Sequence, residues 1–370
     1  MIVGIDYRPV IAAPYSGIAR QVMGMESVFS NLDNIKLLKF SPCSAKNKLR
    51  SAMQVPVLPC PENGLHRPVE RFRFEYKFLP SAIKQQGVDV YIATANQGLP
   101  IWKKPNNIKS ILLLHDVFQL KFKGDSHKST LKKVVYRFID YFSIRFSVSQ
   151  ADYIWVPSTY TKDEVINFFP SAEPKIRVLP NLVNPIGGKV EKRDFYSFPV
   201  KYWLVVGTSE PRKNIPWFVE SWKKARLNNP KIPDLVLVGS RMDLPTDIRD
   251  DVGMHFMTAI DDTTLHALYK YAELFWMPSY AEGFGLPVIE ALAAGTPVAT
   301  AKGSSLDEVT PQSALRFDPF DSNGLYELML SATEGGADVD SGELKSWAER
   351  FSLVEYTKKL VEMFEEVRQC

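Results

Sequence analysis

Two carboxylates, Glu282 and Glu290, stand eight positions apart around the turn Gly283-Phe284-Gly285 and an apolar run entered through Leu286-Pro287. The segment Val288-Ile289-Glu290-Ala291-Leu292-Ala293-Ala294 is made of helix formers and stops at Gly295, a residue suited to a left-handed C-cap. Pro287 fits the first helical turn, where a missing N–H costs nothing. Glu282 is therefore expected in the loop before a helix and Glu290 about one turn inside it. The backbone N–H groups of Phe284, Gly285 and Leu286 then lie between the two carboxylates, at a helix N-terminus that favours an anion. A nucleotide sugar fits this chemistry, with phosphate on backbone donors and hydroxyls on a carboxylate at each end. The same pattern also serves as a plain glycine turn ahead of an apolar helix, with either Glu capping or solvating it.

Three further segments carry candidate chemistry. Gly207-Thr208-Ser209-Glu210-Pro211-Arg212-Lys213-Asn214 follows the apolar run 202–206 and precedes a helix starting near Ile215. Arg212 offers a planar fork and Lys213 a compact charge, so the pair can close on a diphosphate and stabilise charge growing on a leaving group. Cations at a helix start oppose the helix dipole, a local cost that points to function. His115-Asp116 closes the apolar run 111–114. Ser16-Gly17 opens a helix near the N-terminus, either as a cap or as a close backbone approach to a ligand. Ser209, Ser304, Ser305 and Ile260 are candidate pocket residues, Ile260 as a nucleobase contact after a strand around 255–257.

Short apolar runs at 2–5, 88–93, 110–114 and 153–156, then 202–206, 235–238, 274–277 and 297–300, alternate with longer helical patterns. That alternation is the mark of parallel βα units. At 370 residues the chain is long enough for two domains with separate cores. The Pro-, Asn- and Gly-rich text around 180–200 reads as a linker, giving domains at 1–185 and 201–351 joined by 186–200. The fold class is α/β, two doubly wound Rossmann-like domains facing a cleft, with ligands gathered beyond the carboxyl ends of strands.

The net charge of +3 hides an asymmetry. Residues 1–190 carry 26 Lys and Arg against 14 Asp and Glu, whereas 191–370 carry 19 against 28. A basic first half suits an anionic membrane surface or nucleic acid, and no nucleic-acid-binding module is recognisable. Lys121, Lys123, Lys128, Lys132, Lys133, Arg137 and Arg145 alternate with Phe122, Val134, Phe138, Ile139, Phe142 and Phe146. This predicts a helix whose aromatic stripe packs inward while its basic face looks toward lipid headgroups. Cys43, Cys60 and Cys370 have neither metal-ligand spacing nor a disulfide framework. The N-terminus lacks a basic region and cleavage site, and no apolar run spans a membrane, so a cytoplasmic location is expected.

The segment from Glu282 to Glu290, flanked by Met277-Pro278-Ser279-Tyr280-Ala281 and Gly295-Thr296-Pro297-Val298-Ala299, resembles the E-x7-E motif of retaining GT-B glycosyltransferases of the GT4 family. Glu210-Pro211-Arg212-Lys213-Asn214 and His115-Asp116-Val117-Phe118 are similar to two further elements of that family. The resemblance implies that Arg212 and Lys213 bind the donor phosphates, that His115 and Glu282 hold the transferred sugar, and that Glu290 takes the ribose hydroxyls. It assigns Asp116, Ser16 and Gly17 to the donor site, and Phe284, Gly285 and Leu286 through their N–H groups. It further implies that a terminal helix, 352–370, crosses back to the first domain. The implied activity is metal-independent hexosyl transfer from a nucleotide sugar, with no cofactor. GDP-mannose is the donor the motifs most resemble, and UDP- or dTDP-sugars are the alternative. The implied acceptor is a lipid-linked oligosaccharide of surface polysaccharide assembly, reached by peripheral contact with the inner face of the cytoplasmic membrane. A nucleotide-sugar 2-epimerase shares the architecture.

Overall fold

The computed structural model describes residues 1–42, 57–60, 68–101, 108–120, 131–183, 201–335 and 339–369. The expected linker 186–200, Cys43, Cys370, and Lys121, Phe122, Lys123 and Lys128 of the basic stretch lie outside them, as do the side chains of Lys132, Lys133, Val134 and Arg137. The chain divides into two compact units, one formed by Met1–Leu182 with Tyr356–Cys370, the other by Val183–Glu355.

The first unit holds seven strands: β1 (Ile2–Asp6), β2 (Lys36–Pro42), β3 (Val57–Cys60), β4 (Val90–Ala93), β5 (Lys109–Leu113), β6 (Tyr153–Val156) and β7 (Ile176–Val178). Every pairing is parallel, in the order β3-β2-β1-β4-β5-β6-β7. The second unit holds β8 (Tyr202–Val206), β9 (Asp234–Val238), β10 (Met254–Met257), β11 (Leu274–Met277), β12 (Val298–Ala301) and β13 (Leu315–Phe317). They pair in parallel in the order β10-β9-β8-β11-β12-β13. Each sheet reverses its winding once, between β1 and β4 and between β8 and β11. Such a switch point leaves a crevice beyond the strand ends for a ligand.

Central strands such as Tyr-Trp-Leu-Val-Val of β8 and Leu-Phe-Trp-Met of β11 are continuously apolar because helices cover both faces of the sheet. Trp203 and Leu204 pair with Leu274 and Phe275, and the Trp203 and Trp276 rings meet at 5.0 Å on one face. The terminal helix Leu353–Gln369 presents Tyr356, Leu360, Met363, Phe364 and Val367 on one stripe to the core of the first unit. Phe364 meets Phe29 at 4.8 Å, and Arg177 Nε donates to Glu366 at 3.0 Å.

Several sequence expectations need correction. The runs 110–114, 88–93 and 297–300 become Lys109–Leu113, Val90–Ala93 and Val298–Ala301, so His115 lies two residues past its strand. β2, β3, β7 and β13 were not anticipated. β2 carries Lys39 into the interior, where Glu26 neutralises it and Tyr7 stacks beneath it, so its buried character is invisible to a hydropathy reading. β7 and β13 are three-residue edge strands that exist by pairing with a longer neighbour. The aromatic stripe of the basic helix does not all face inward. In the helix Leu131–Gln150, Ile144, Val148 and Tyr141 join the core, while Phe138 and Phe142 are 50% and 62% exposed. Arg71 from another helix bonds Asp140 and Ser143 and so fixes which face turns outward.

Candidate active site

Both chemistry-bearing loops of the second unit leave the sheet at its switch point, one after β8 and one after β11. The β8 loop turns at Gly207, whose φ of +86° excludes most side chains and whose absent Cβ would lie 3.3 Å from Lys213 Cε. A short 3-10 turn, Pro211–Lys213, then brings the two cations forward, and Asn214 in a left-handed conformation ends it. The β11 loop is tied to this turn by Tyr280 N–H donating to the Arg212 carbonyl at 3.0 Å.

Arg212, Lys213 and Glu282 meet there. Arg212 Nη1 lies 2.5 Å from Glu282 Oε2 and donates to the Ala281 carbonyl at 3.1 Å, and Lys213 Nζ lies 3.5 Å from Oε1. Glu282 is 6% exposed and Lys213 8%. Burial alone would raise the Glu282 pKa, but Lys213 and then Arg212 outweigh it and hold the carboxyl below its ordinary range. Glu210, on the exposed side, also accepts from Arg212 Nε at 2.8 Å, so the two cations face two carboxylates, of which only Glu282 is buried.

Three residues after Glu282, the helix Leu286–Ala294 begins with Gly285 at φ +104° and no side-chain cap. Pro287 has no N–H and Val288 N–H donates to the Gly285 carbonyl at 3.0 Å, so the N–H groups of Gly285 and Leu286 are the ones without a capping side chain. A Cβ at Gly285 would sit 2.7 Å from Leu306 Cδ2. The Phe284 ring is buried edge-on against Phe351 at 5.6 Å, so only its backbone serves the loop. Gly295 at φ +84° closes the helix. Glu290, 9% exposed, accepts from the Tyr269 hydroxyl at 2.9 Å. Ser305 Oγ donates to the Glu282 carbonyl at 2.8 Å, Ser209 is exposed, and Ile260 packs partly buried beside the core. Among the described residues no group of three His, Cys, Asp or Glu side chains is placed to hold a metal ion.

A family model described as "Glycosyl transferases group 1" matches residues 200–334, and one described as "Glycosyltransferase Family 4" matches residues 40–185. The chain belongs to the family 4 glycosyltransferases. It is 26% identical over 264 residues to an O-antigen chain mannosyltransferase of Salmonella typhimurium, a match spanning 69% of this chain and 68% of the relative. An O-antigen chain mannosyltransferase B of Escherichia coli is 27% identical over 213 residues, 52% of this chain and about half, 54%, of the relative. Among solved structures, a sucrose-phosphate synthase of Thermosynechococcus elongatus superposes with a TM-score of 0.73 over 100% of this chain and 99% of its own, at 17% identity. That likeness concerns the fold, two Rossmann-like units as in GT-B glycosyltransferases.

In the first unit of this glycosyltransferase, His115 is held from two sides by the loop after β4. Its backbone N–H donates to Asn96 Oδ1 at 2.7 Å, and its Nε2 lies 2.9 Å from the Thr94 carbonyl. A carbonyl only accepts, so the proton sits on Nε2 and Nδ1 keeps its lone pair. Burial lowers the His115 pKa against the opposing Thr94 bond, so the ring is neutral and acts as a hydrogen-bond acceptor. Asp116 Oδ1 accepts from Phe118 N–H at 3.2 Å. Ser16 caps the helix Gly17–Ser30 through Ala19 N–H at 3.2 Å, which commits its hydroxyl to structure. Thr94, Asn96 and Tyr269, which orient His115 and Glu290, escaped the sequence reading. Asn96 carries the one local signal, an Asn at φ +61° in a loop following a buried strand.

Proposed function

We propose that this glycosyltransferase moves mannose from GDP-mannose to a lipid-linked saccharide, with retention of configuration, without a metal ion, at the cytoplasmic face of a membrane. The observation that carries the reading is the Arg212–Lys213–Glu282 cluster at the sheet's switch point, three residues ahead of an uncapped helix N-terminus. Two relatives named as mannosyltransferases of O-antigen chains support the sugar and the kind of acceptor. The surplus of Lys and Arg in the first half supports contact with an anionic surface, and among the described residues no helix is long and apolar enough to cross a membrane.

The donor's diphosphate lies on Arg212, Lys213 and the N–H groups of Gly285 and Leu286, and Glu290 takes the ribose hydroxyls. As the bond between the sugar's anomeric carbon and the phosphate oxygen breaks, negative charge grows on the diphosphate where the two cations are already fixed. An acceptor hydroxyl attacks from the face the diphosphate leaves, and its proton passes to the departing phosphate oxygen. Glu282 positions the transferred sugar, and the neutral His115 ring keeps Nδ1 open to accept from a sugar hydroxyl. Following GDP-α-mannose hydrolysis by proton NMR tests the stereochemistry. The α anomer of mannose should appear first together with GDP, and β-mannose appearing first contradicts retention.

A further inference from the structure

The first unit carries a groove of about 810 Å³ that none of the roles above uses, walled by Ile101, Phe138, Ile139, Phe142 and Phe146 with Glu75 at its floor. Its volume falls in the range of small-ligand sites. The floor comes from the turn Phe74–Phe78, a π-helical segment, and the walls from Ile101 and the helix Leu131–Gln150. Single π turns recur where a side chain must be re-aimed. Arg71, in the helix just before that turn, bonds Asp140 Oδ1 at 3.0 Å and Ser143 Oγ at 3.1 Å and so ties the floor's segment to the helical wall.

Glu75 is 3% exposed, and its Oε1 has no hydrogen-bond partner among the described residues. Such an atom is uncommon in a folded interior and calls for a donor from outside the chain. Its surroundings hold it in place. Ile101 N–H donates to the Glu75 carbonyl at 3.0 Å. Behind it, Arg8 is clamped by Asp6 at 2.7 Å and lies 3.6 Å over the Phe74 ring. Burial raises the Glu75 pKa to about 7 against the pull of Arg8 and Arg71, so the carboxyl is able to accept or to donate near neutral pH. Phe142, 62% exposed, offers an apolar face along the same groove.

We propose that this groove binds a sugar ring of the acceptor, with the Glu75 carboxyl hydrogen-bonded to a ring hydroxyl and Phe142 packed on the ring's C–H face. A sugar presents both chemistries at once. A hydrocarbon chain would fill the aromatic walls yet leave Glu75 buried and unpaired. The identity of the ring as a mannoside rests on the transfer reading above; the groove and its chemistry do not.

Saturation-transfer NMR on the full chain without nucleotide tests this, using methyl α-mannoside and octyl α-mannoside as probes. Both probes should receive saturation from the wild-type protein. Glu75→Gln and Phe142→Ser should each weaken both by about tenfold, the scale of one lost buried contact, while GDP affinity stays unchanged. Phe142 is exposed, so its variant remains folded even if the Glu75 variant does not. Saturation of the octyl probe alone, sensitive to Phe142→Ser but not to Glu75→Gln, overturns the proposal in favour of a lipid-chain groove. No saturation of either probe overturns it outright. A wild-type protein that binds mannosides here but no nucleotide would count against the donor reading and leave this site standing.

Discussion

Arg212 Nη1 sits 2.5 Å from the carboxylate of Glu282, seventy positions along the chain, with Lys213 approaching the other oxygen of the same group. The cations proposed to hold the donor diphosphate are thus already engaged by an internal carboxylate. It fixes their geometry and gives the buried Lys213 a counter-charge, while Arg212 is shared with Glu210. Donor binding must then redistribute these contacts rather than fill an empty site.

Glu282→Gln keeps the side-chain shape and removes the internal charge. GDP, which has no sugar to contact Glu282, should bind at least about tenfold more tightly, because one charge several ångströms away at effective dielectric 20 is worth roughly 3 kcal/mol and only part of it is offset by the looser cations. Turnover of the sugar nucleotide should fall, because the same residue positions the sugar. Calorimetric titration with GDP and initial rates check the two halves. Weaker GDP binding would mean the carboxylate serves only to build the site.

Tyr269→Phe removes the hydroxyl that holds Glu290 and leaves the ring's packing against Phe275. The loss should be about 1 kcal/mol in GDP affinity. Inorganic pyrophosphate, which lacks ribose, should bind the variant as it binds the wild type. Equal losses for both ligands would place Glu290 away from the ribose.

Glu75 gives a pH signature of defined sign. Its pKa rises from 4.5 to about 7 on folding, so the native state holds the proton more tightly than the unfolded chain. The associated stability is present below about pH 4.5 and is lost as pH rises through 7. Glu75→Gln, neutral throughout, should therefore gain on the wild type by about 2–3 kcal/mol at pH 8. The gain should shrink toward zero near pH 4.5. Urea melts of both proteins across that range check it, and a pH-independent difference would contradict it.

Glycine substitutions should separate site geometry from loop freedom. Gly285→Ala meets both φ +104° and a contact at 2.7 Å with Leu306, and should cost about 2–4 kcal/mol. Gly87→Ala, at φ +62° with nothing within 4 Å, should cost about 1 kcal/mol. Denaturant midpoints measure both, and equal costs would show that the Leu306 contact relaxes freely.

The central strands and the helix after Gly285 were legible because their signals are local. Tyr202–Val206 and Leu274–Met277 are unbroken apolar runs, and Pro287 and Gly295 punctuate their helix from within. What was illegible depends on partners far along the chain. Lys39 reads as a surface residue until Glu26 is seen beside it. The outward turn of Phe138 and Phe142 follows from Arg71, contributed by a different helix. The pairing of Glu282 with Arg212 joins two motifs that the sequence showed separately, each assigned to a ligand rather than to the other.

The most direct test of the account is titration of the purified protein with GDP, UDP and dTDP, followed by turnover of the matching sugar nucleotides. GDP should bind selectively, more weakly after Lys213→Ala, and GDP should be released from GDP-mannose. Binding of UDP or dTDP in preference to GDP would contradict the mannosyl donor, and binding of none of the three would contradict the site.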